Sequence, residues 1–231
     1  MAVGLPTLRR GRSTFSRSQL RPAFTLLELL VVIAIIAILL VAVMPAVNSL
    51  SKSNGRKAAV SNLLGAIEQA RAQAIKDGQS TYIAFAAQPT DATTNISDQN
   101  IIDRYFYHSF AIFEDDPADS TKPKIQLTAW KTLPTGISIR TEISYSSSNA
   151  AWNSSTFAFT PAGQGSMQLF PFLKFDATGA LLLPSPSWTG PIPLRLFEGF
   201  VSGTDEHPTT KANKDEVINI TRLTGRGEYT P

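Results

Sequence analysis

The sequence has 231 residues, with 21 lysines and arginines against 18 acidic residues, two histidines and no cysteine. That length allows one or two domains, and the lack of cysteine excludes a disulfide framework or a thiolate metal site. The formal charge of +3 comes from one end of the chain, so it does not point to a nucleic-acid partner.

Residues 1–23 contain Arg9, Arg10, Arg12, Arg17 and Arg21 and no acid. Five positive charges ahead of an apolar segment hold that end in the cytoplasm and send the remainder outward. Removing these 23 residues leaves 208, with 16 basic side chains (21 less these five) against 18 acidic. The basic pI of about 9.2 is therefore a property of the leader.

From Phe24 to Val47 only Thr25, Glu28 and Pro45 interrupt 24 residues that are otherwise apolar. As a helix this run measures about 36 Å, enough to cross a hydrocarbon core of about 30 Å with some tilt. An ordinary secretory signal has the same basic start, but its apolar core is about 7 to 15 residues and ends at a small-x-small site. Glu28 stands out, because an acid at mid-bilayer costs about 2.5 to 3.5 kcal/mol. Either it lies close enough to the interface to snorkel, or it has a partner. Pro45 removes a backbone donor and clashes with the carbonyl four residues back, which predicts a kink.

The stretch Arg21-Pro22-Ala23-Phe24-Thr25-Leu26-Leu27-Glu28-Leu29-Leu30, with its apolar continuation, resembles the prepilin cleavage and methylation motif of type IV pilins and type II secretion pseudopilins. The resemblance implies that a prepilin peptidase cleaves between Ala23 and Phe24, that Phe24 is N-methylated, and that Glu28 is the assembly acid of the mature chain. Ala23 stands where that family nearly always has Gly. Pro45 matches a proline common in these helices. The charge logic is general: a freed Phe24 amine and a Glu28 carboxylate from a neighbour are each costly in lipid, and become tolerable as a pair.

Beyond Pro45 the pattern turns amphipathic. Val47, Leu50, Ala58, Val60, Leu63, Leu64, Ile67, Ala70, Ala74 and Ile75 recur at helical spacing, with Lys52, Arg56, Lys57, Glu68, Arg71 and Lys76 between them. Asp77-Gly78 is the expected stop, with Gly78 as a left-handed cap. The Ser51-to-Gly55 segment is the expected weak point.

After Gly78 the sequence predicts strands at 80–87, 104–113, 125–131, 136–144, 155–160, 169–175, 180–183, 193–197 and 216–223, rich in β-branched and aromatic residues. The segment from Phe175 to Ala180 predicts a short hairpin with Gly179 at positive φ. Segments 88–103 and 197–215 read as long loops. The order of Ala70-to-Gly78, Leu133-to-Ile137, Phe159-to-Gly163 and Ile218-to-Arg226 resembles the H-type minor pseudopilins and their FimT-like pilus relatives.

Nothing in this region signals catalysis. His108 and His207 are about a hundred residues apart and show no metal-ligand spacing. Gly163-Gln-Gly165-Ser166 is not a nucleophile elbow, and there is no phosphate loop or dinucleotide fingerprint. The acidic segment Glu114 to Asp119 lacks EF-hand spacing and reads first as a solvated turn, with calcium as the other reading. Asn95, Asn153 and Asn219 open sequons that arise by chance as easily as by function.

The sequence thus predicts an α+β chain. A basic leader (1–23), a transmembrane and assembly helix (24–47) and its amphipathic continuation (48–78) precede a periplasmic, antiparallel β-sandwich-like domain (79–231). The resemblance implies a non-enzymatic structural, minor subunit of a type II secretion pseudopilus or type IV pilus, with no cofactor or metal. Its implied partners are the prepilin peptidase, other pilins or pseudopilins through the helix, an inner-membrane assembly platform and the membrane, without direct nucleic-acid binding. It would sit single-pass in the inner membrane, leader cytoplasmic, before entering the filament. The rival expectation is a membrane-anchored periplasmic binding protein that never polymerises.

Overall fold

The computed structural model describes residues 25–87, 96–119, 122–143, 152–163, 166–182, 190–209 and 215–230, and not the side chains of 40–53. The chain divides at Val47 into two compact units. The first contains the beginning of helix α1, which runs Leu26–Asp77. The backbone stays helical through the Ser51-to-Gly55 segment expected to break. Serine, asparagine and glycine each cost under about 1 kcal/mol in a helix, too little to stop one that is packed on a core.

In the second unit α1 buries Ala59, Val60, Leu63, Ala66, Ile67, Ala70 and Ala74. Most of these were legible from spacing, but the stripe is shifted: Ala59 and Ala66 are inside, while Ala58 and Ile75 are exposed. Four alanines on one stripe bring the helix close to the residues it packs against. Gly78 ends the helix at φ +66°, its N–H bonded to the Ala74 carbonyl at 3.0 Å.

The elements that follow are β1 (Thr81–Phe85), α2 (Gln99–Tyr105), β2 (Ser109–Glu114), β3 (Ile125–Gln126), β4 (Lys131–Thr132) and β5 (Ile137–Ile139). After them come β6 (Asn153–Ala158), β7 (Met167–Phe175), β8 (Leu181–Leu182), β9 (Ile192–Ser202), β10 (Asp205–Pro208), β11 (Glu216–Ile220) and β12 (Gly227–Thr230). One antiparallel sheet has the order β3-β2-β1-β7-β6, with β4 on β2 and β8 on β7. The other has the order β10-β9-β11-β12, with β5 on β9. Residues of both sheets and of α1 form one hydrophobic core. The expected mixed architecture, helix first and antiparallel sheets after, is what the chain adopts.

The larger sheet curls until its two ends meet. Lys124, next to β3, donates from Nζ to Ser155 Oγ on β6 at 3.0 Å, and Trp130 Nε1–H donates to the Ala158 carbonyl at 3.1 Å. Phe113 and Phe157 stand 4.9 Å apart inside the curl, and Trp130, Phe159 and Phe170 pack edge to face beside them. Side chains thus join strand ends that no backbone ladder connects.

Several expectations are corrected. The strand expected at 104–113 begins only at Ser109; Arg104 and Tyr105 close α2, whose N-cap Asp98 accepts from the Asn100 N–H at 2.9 Å. Phe106 and Tyr107 are buried from a turn, with Tyr107 at φ +59°, so aromatic content misled the reading. The strand expected at 125–131 is two short pairings at its ends, and the one at 136–144 stops at Ile139 before a 3₁₀ turn. The strand expected at 216–223 ends at Ile220, leaving β12 unforeseen. The expected loop 197–215 contains the rest of β9 and all of β10. The hairpin at Gly179 forms as expected, with φ +79°.

An ionic staple fixes β10 to the segment after β5. Arg140 donates to Asp215 at 2.9 and 2.6 Å, pairs with Glu206, and lies over the Phe197 ring at 4.5 Å. Glu206 also accepts from Thr141 N–H at 2.7 Å and Thr141 Oγ1 at 2.9 Å. Replacing Arg140 by Leu leaves two half-buried carboxylates without their cation and should lower stability by about 2–3 kcal/mol. Chemical denaturation of the detergent-solubilised chain measures this, and a loss under about 0.5 kcal/mol would show the staple to be ornamental.

Candidate functional site

The start of α1 is built by two residues, Thr25 and Glu28. Thr25 precedes the first helical residue, and its Oγ1 accepts from the Glu28 N–H at 3.2 Å. Glu28 Oε2 reaches back to accept from the Thr25 N–H at 3.0 Å and from its hydroxyl at 3.1 Å. This is a reciprocal capping box, which satisfies donors that every helix leaves unpaired at its N-terminus. Sequence reasoning fixed on the acid and missed Thr25 as its partner, although Thr-x-x-Glu at the head of an apolar run is the recognised signal.

Every residue from Leu26 to Leu39 is exposed. The large apolar ones include Leu26 at 86%, Ile38 at 71% and Leu39 at 59% exposed. They point to all sides of the helix, so a one-sided groove in a soluble protein would not cover them. Burying eleven such side chains is worth on the order of 15–30 kcal/mol, which makes a water-exposed resting state untenable. Among the described residues no helix is long and apolar enough to cross a membrane. The side chains of 40–53 lie outside that description.

Ala23 and Phe24, the expected cleavage and methylation residues, lie outside the described residues, as does the leader. Pro45 lies on the helical backbone of α1, its side chain outside the description. Glu28 is therefore the expected site residue whose surroundings are visible.

Among the described residues of the β-rich part, the two histidines stand apart, His108 beside Ser138 and His207 against Phe200. His108 Nδ1 bonds to the Ile137 carbonyl at 2.9 Å and so carries the proton. Ser138 Oγ, 3.3 Å from that nitrogen, donates to the Gly199 carbonyl at 2.8 Å. A protonated Nδ1 cannot accept the serine proton, so this half-buried neighbour pair is not a nucleophile and base. His207 lies on β10, stacked on Phe200 with centroids 4.7 Å apart.

In the acidic segment the carboxylates diverge. Glu114 is buried at the end of β2, and burial with the nearby Asp77 holds its carboxyl above the usual range. Asp115 accepts from the Tyr82 hydroxyl at 2.9 Å, and Asp116 from the Ala118 N–H at 2.8 Å. Among the described residues no group of three or more His, Cys, Asp or Glu is placed to hold a metal ion. Asn153 and Asn219 lie in β6 and β11, and Asn95 is outside the described residues.

Residues 21–44 match the family model described as the prokaryotic N-terminal methylation motif, and residues 59–182, more than half the chain, match that of type II transport protein GspH. The crystal structure of the type IV minor pilin FimU from Pseudomonas aeruginosa is similar over 79% of this chain and 92% of that one, at 13% identity and a TM-score of 0.38. No curated protein sequence matches.

Two outcomes follow. Thr25→Ala removes one half of the capping box, at about 1 kcal/mol, and should speed hydrogen exchange of the Glu28 amide about fivefold in detergent-solubilised protein, while Thr25→Ser leaves it near wild type; equal exchange in all three would deny the box. Burial pushes the His108 imidazole below its ordinary 6.5, opposed by its bond to Ile137. The unfolded chain then takes up that proton first, so stability should fall as pH drops below about 6.5 and level off under the folded value. His108→Gln should flatten that part of a pH series of melting temperatures.

Proposed function

Because the chain belongs to the family of type II transport protein GspH, and so is a structural subunit of a pilus or pseudopilus, we propose that it is a minor subunit processed by a prepilin peptidase. Cleavage between Ala23 and Phe24 frees an amine that is then methylated. The segment 24–47 anchors the subunit in the inner membrane, with the β-rich part on the periplasmic side, until an assembly platform moves it into the filament. There its helix packs against those of other pilins or pseudopilins.

The observation that carries this reading is the Thr25–Glu28 head of a helix whose apolar side chains are exposed on every side. Glu28 Oε2 faces the backbone of the residue after Phe24, so a cation arriving from a neighbour would meet a carboxylate already oriented. Glu28 then exchanges some of its capping role for an ion pair in a low-dielectric core, where such a pair is tolerated only if both partners are present. Loosening at Pro45 would let the two parts of α1 adjust during extraction.

The test is intact-mass analysis and N-terminal sequencing after co-expression with a prepilin peptidase, with Glu28→Ala followed into filaments. A methylated mature N-terminus at Phe24, and at least a tenfold loss of incorporation for the variant, are expected; tenfold corresponds to about 1.4 kcal/mol. An uncleaved chain that works equally well with Ala at 28 would favour an anchored, non-polymerising binding protein.

A further inference from the structure

The second unit has a cleft of about 560 Å³, a size usual for small-ligand sites. Arg104 and Asp103 of α2, His108, the 132–136 segment, and Phe200 with Gly199 of β9 line it. Its floor is tied down by backbone bonds: Gly199 N–H to the Gly136 carbonyl at 2.9 Å, Leu133 N–H to the His108 carbonyl, and Ser138 Oγ to the Gly199 carbonyl. Gly199 is required there, since a Cβ would lie 2.3 Å from the His207 carbonyl oxygen.

We propose that this cleft binds a neutral saccharide, stacked on Phe200 and hydrogen-bonded by Arg104, Asp103 and His108. Phe200 is 53% exposed, and the His207 imidazole backs one face of its ring at 4.7 Å. A supported aromatic with accessible surface at a cleft wall suits the apolar face of a pyranose. Around it stand groups that pair with hydroxyls in both senses. The Arg104 guanidinium lies over the Tyr105 ring and has no ion pair among the described residues, so its donors are available. Asp103 spends one oxygen on Gln99 at 2.7 Å, and the other has no hydrogen bond among the described residues. With His108 Nδ1 engaged by Ile137, its Nε2 is left as an acceptor.

Charge and backbone argue against the alternatives. One acid and one base among the described lining residues leave no net field for a polyanion. The floor amides just named are already bonded, so a peptide strand would find few main-chain partners there, whereas a sugar needs only side chains. This site is independent of the assembly reading and stands or falls without it.

The experiment titrates the full-length chain, in amine-oxide micelles free of sugar headgroups, with chitotriose, cellotriose and maltotriose by ligand-observed NMR. At least one should bind saturably, with Phe200→Ala weakening it about tenfold and Arg104→Gln several-fold. Phe200 is exposed, so the folded state should survive its truncation, and a melting curve checks that. No saturable binding of any of the three, or equal binding by folded Phe200→Ala, would overturn the proposal. So would a clear preference for an apolar peptide over all three sugars.

Discussion

The apolar surface at the head of α1 is the constraint on which the rest depends. From Leu26 to Leu39 the helix exposes side chains that nothing in the described chain covers. Lipid or other helices must cover them, and each choice fixes how the charged group among them is treated. Glu28 is anchored by Thr25 within its own turn, so it does not stand bare before a partner arrives. The capping box makes a costly residue bearable and, on the proposed assembly, holds it at the end where a neighbour's amine would come.

The second part of α1 obeys a different rule. Its alanine-rich stripe is closed off by the core it shares with both sheets, and Gly78 ends it where β1 must begin. One helix therefore carries two kinds of apolar surface, one satisfied by its own chain and one that needs other molecules. The sheets add little that needs assembly: aromatic packing fills the curl, Lys124 and Trp130 join its ends, and Arg140 ties down the β10 hairpin. That self-sufficiency is what a displayed domain requires.

Much of this was legible in the residues. A nearly continuous apolar run and one acid marked the head of α1, spacings of three and four marked its packed stripe, and Gly78 and Gly179 marked turns through the only conformations that favour them. The failures share a cause. Phe106 and Tyr107 raised the strand signal, yet they enter the core from a turn, because burial rewards aromatic area whatever the backbone does. Strands β10 and β12 are polar edge strands, held by pairing with β9 and β11, and a pairing leaves no local pattern to read. The cleft at Phe200 draws on four distant segments, so no spacing announces it.

The central claim is that the exposed head of α1 is covered by the helices of neighbouring subunits. The chain has no cysteine, so a single Ile33→Cys substitution, paired with a cysteine at the matching depth of a co-expressed pilin or pseudopilin, reports on that directly. Oxidation of sheared filaments should yield a cross-linked heterodimer containing this chain. Filaments that form without it, while the variant stays monomeric in the membrane fraction, would contradict the account.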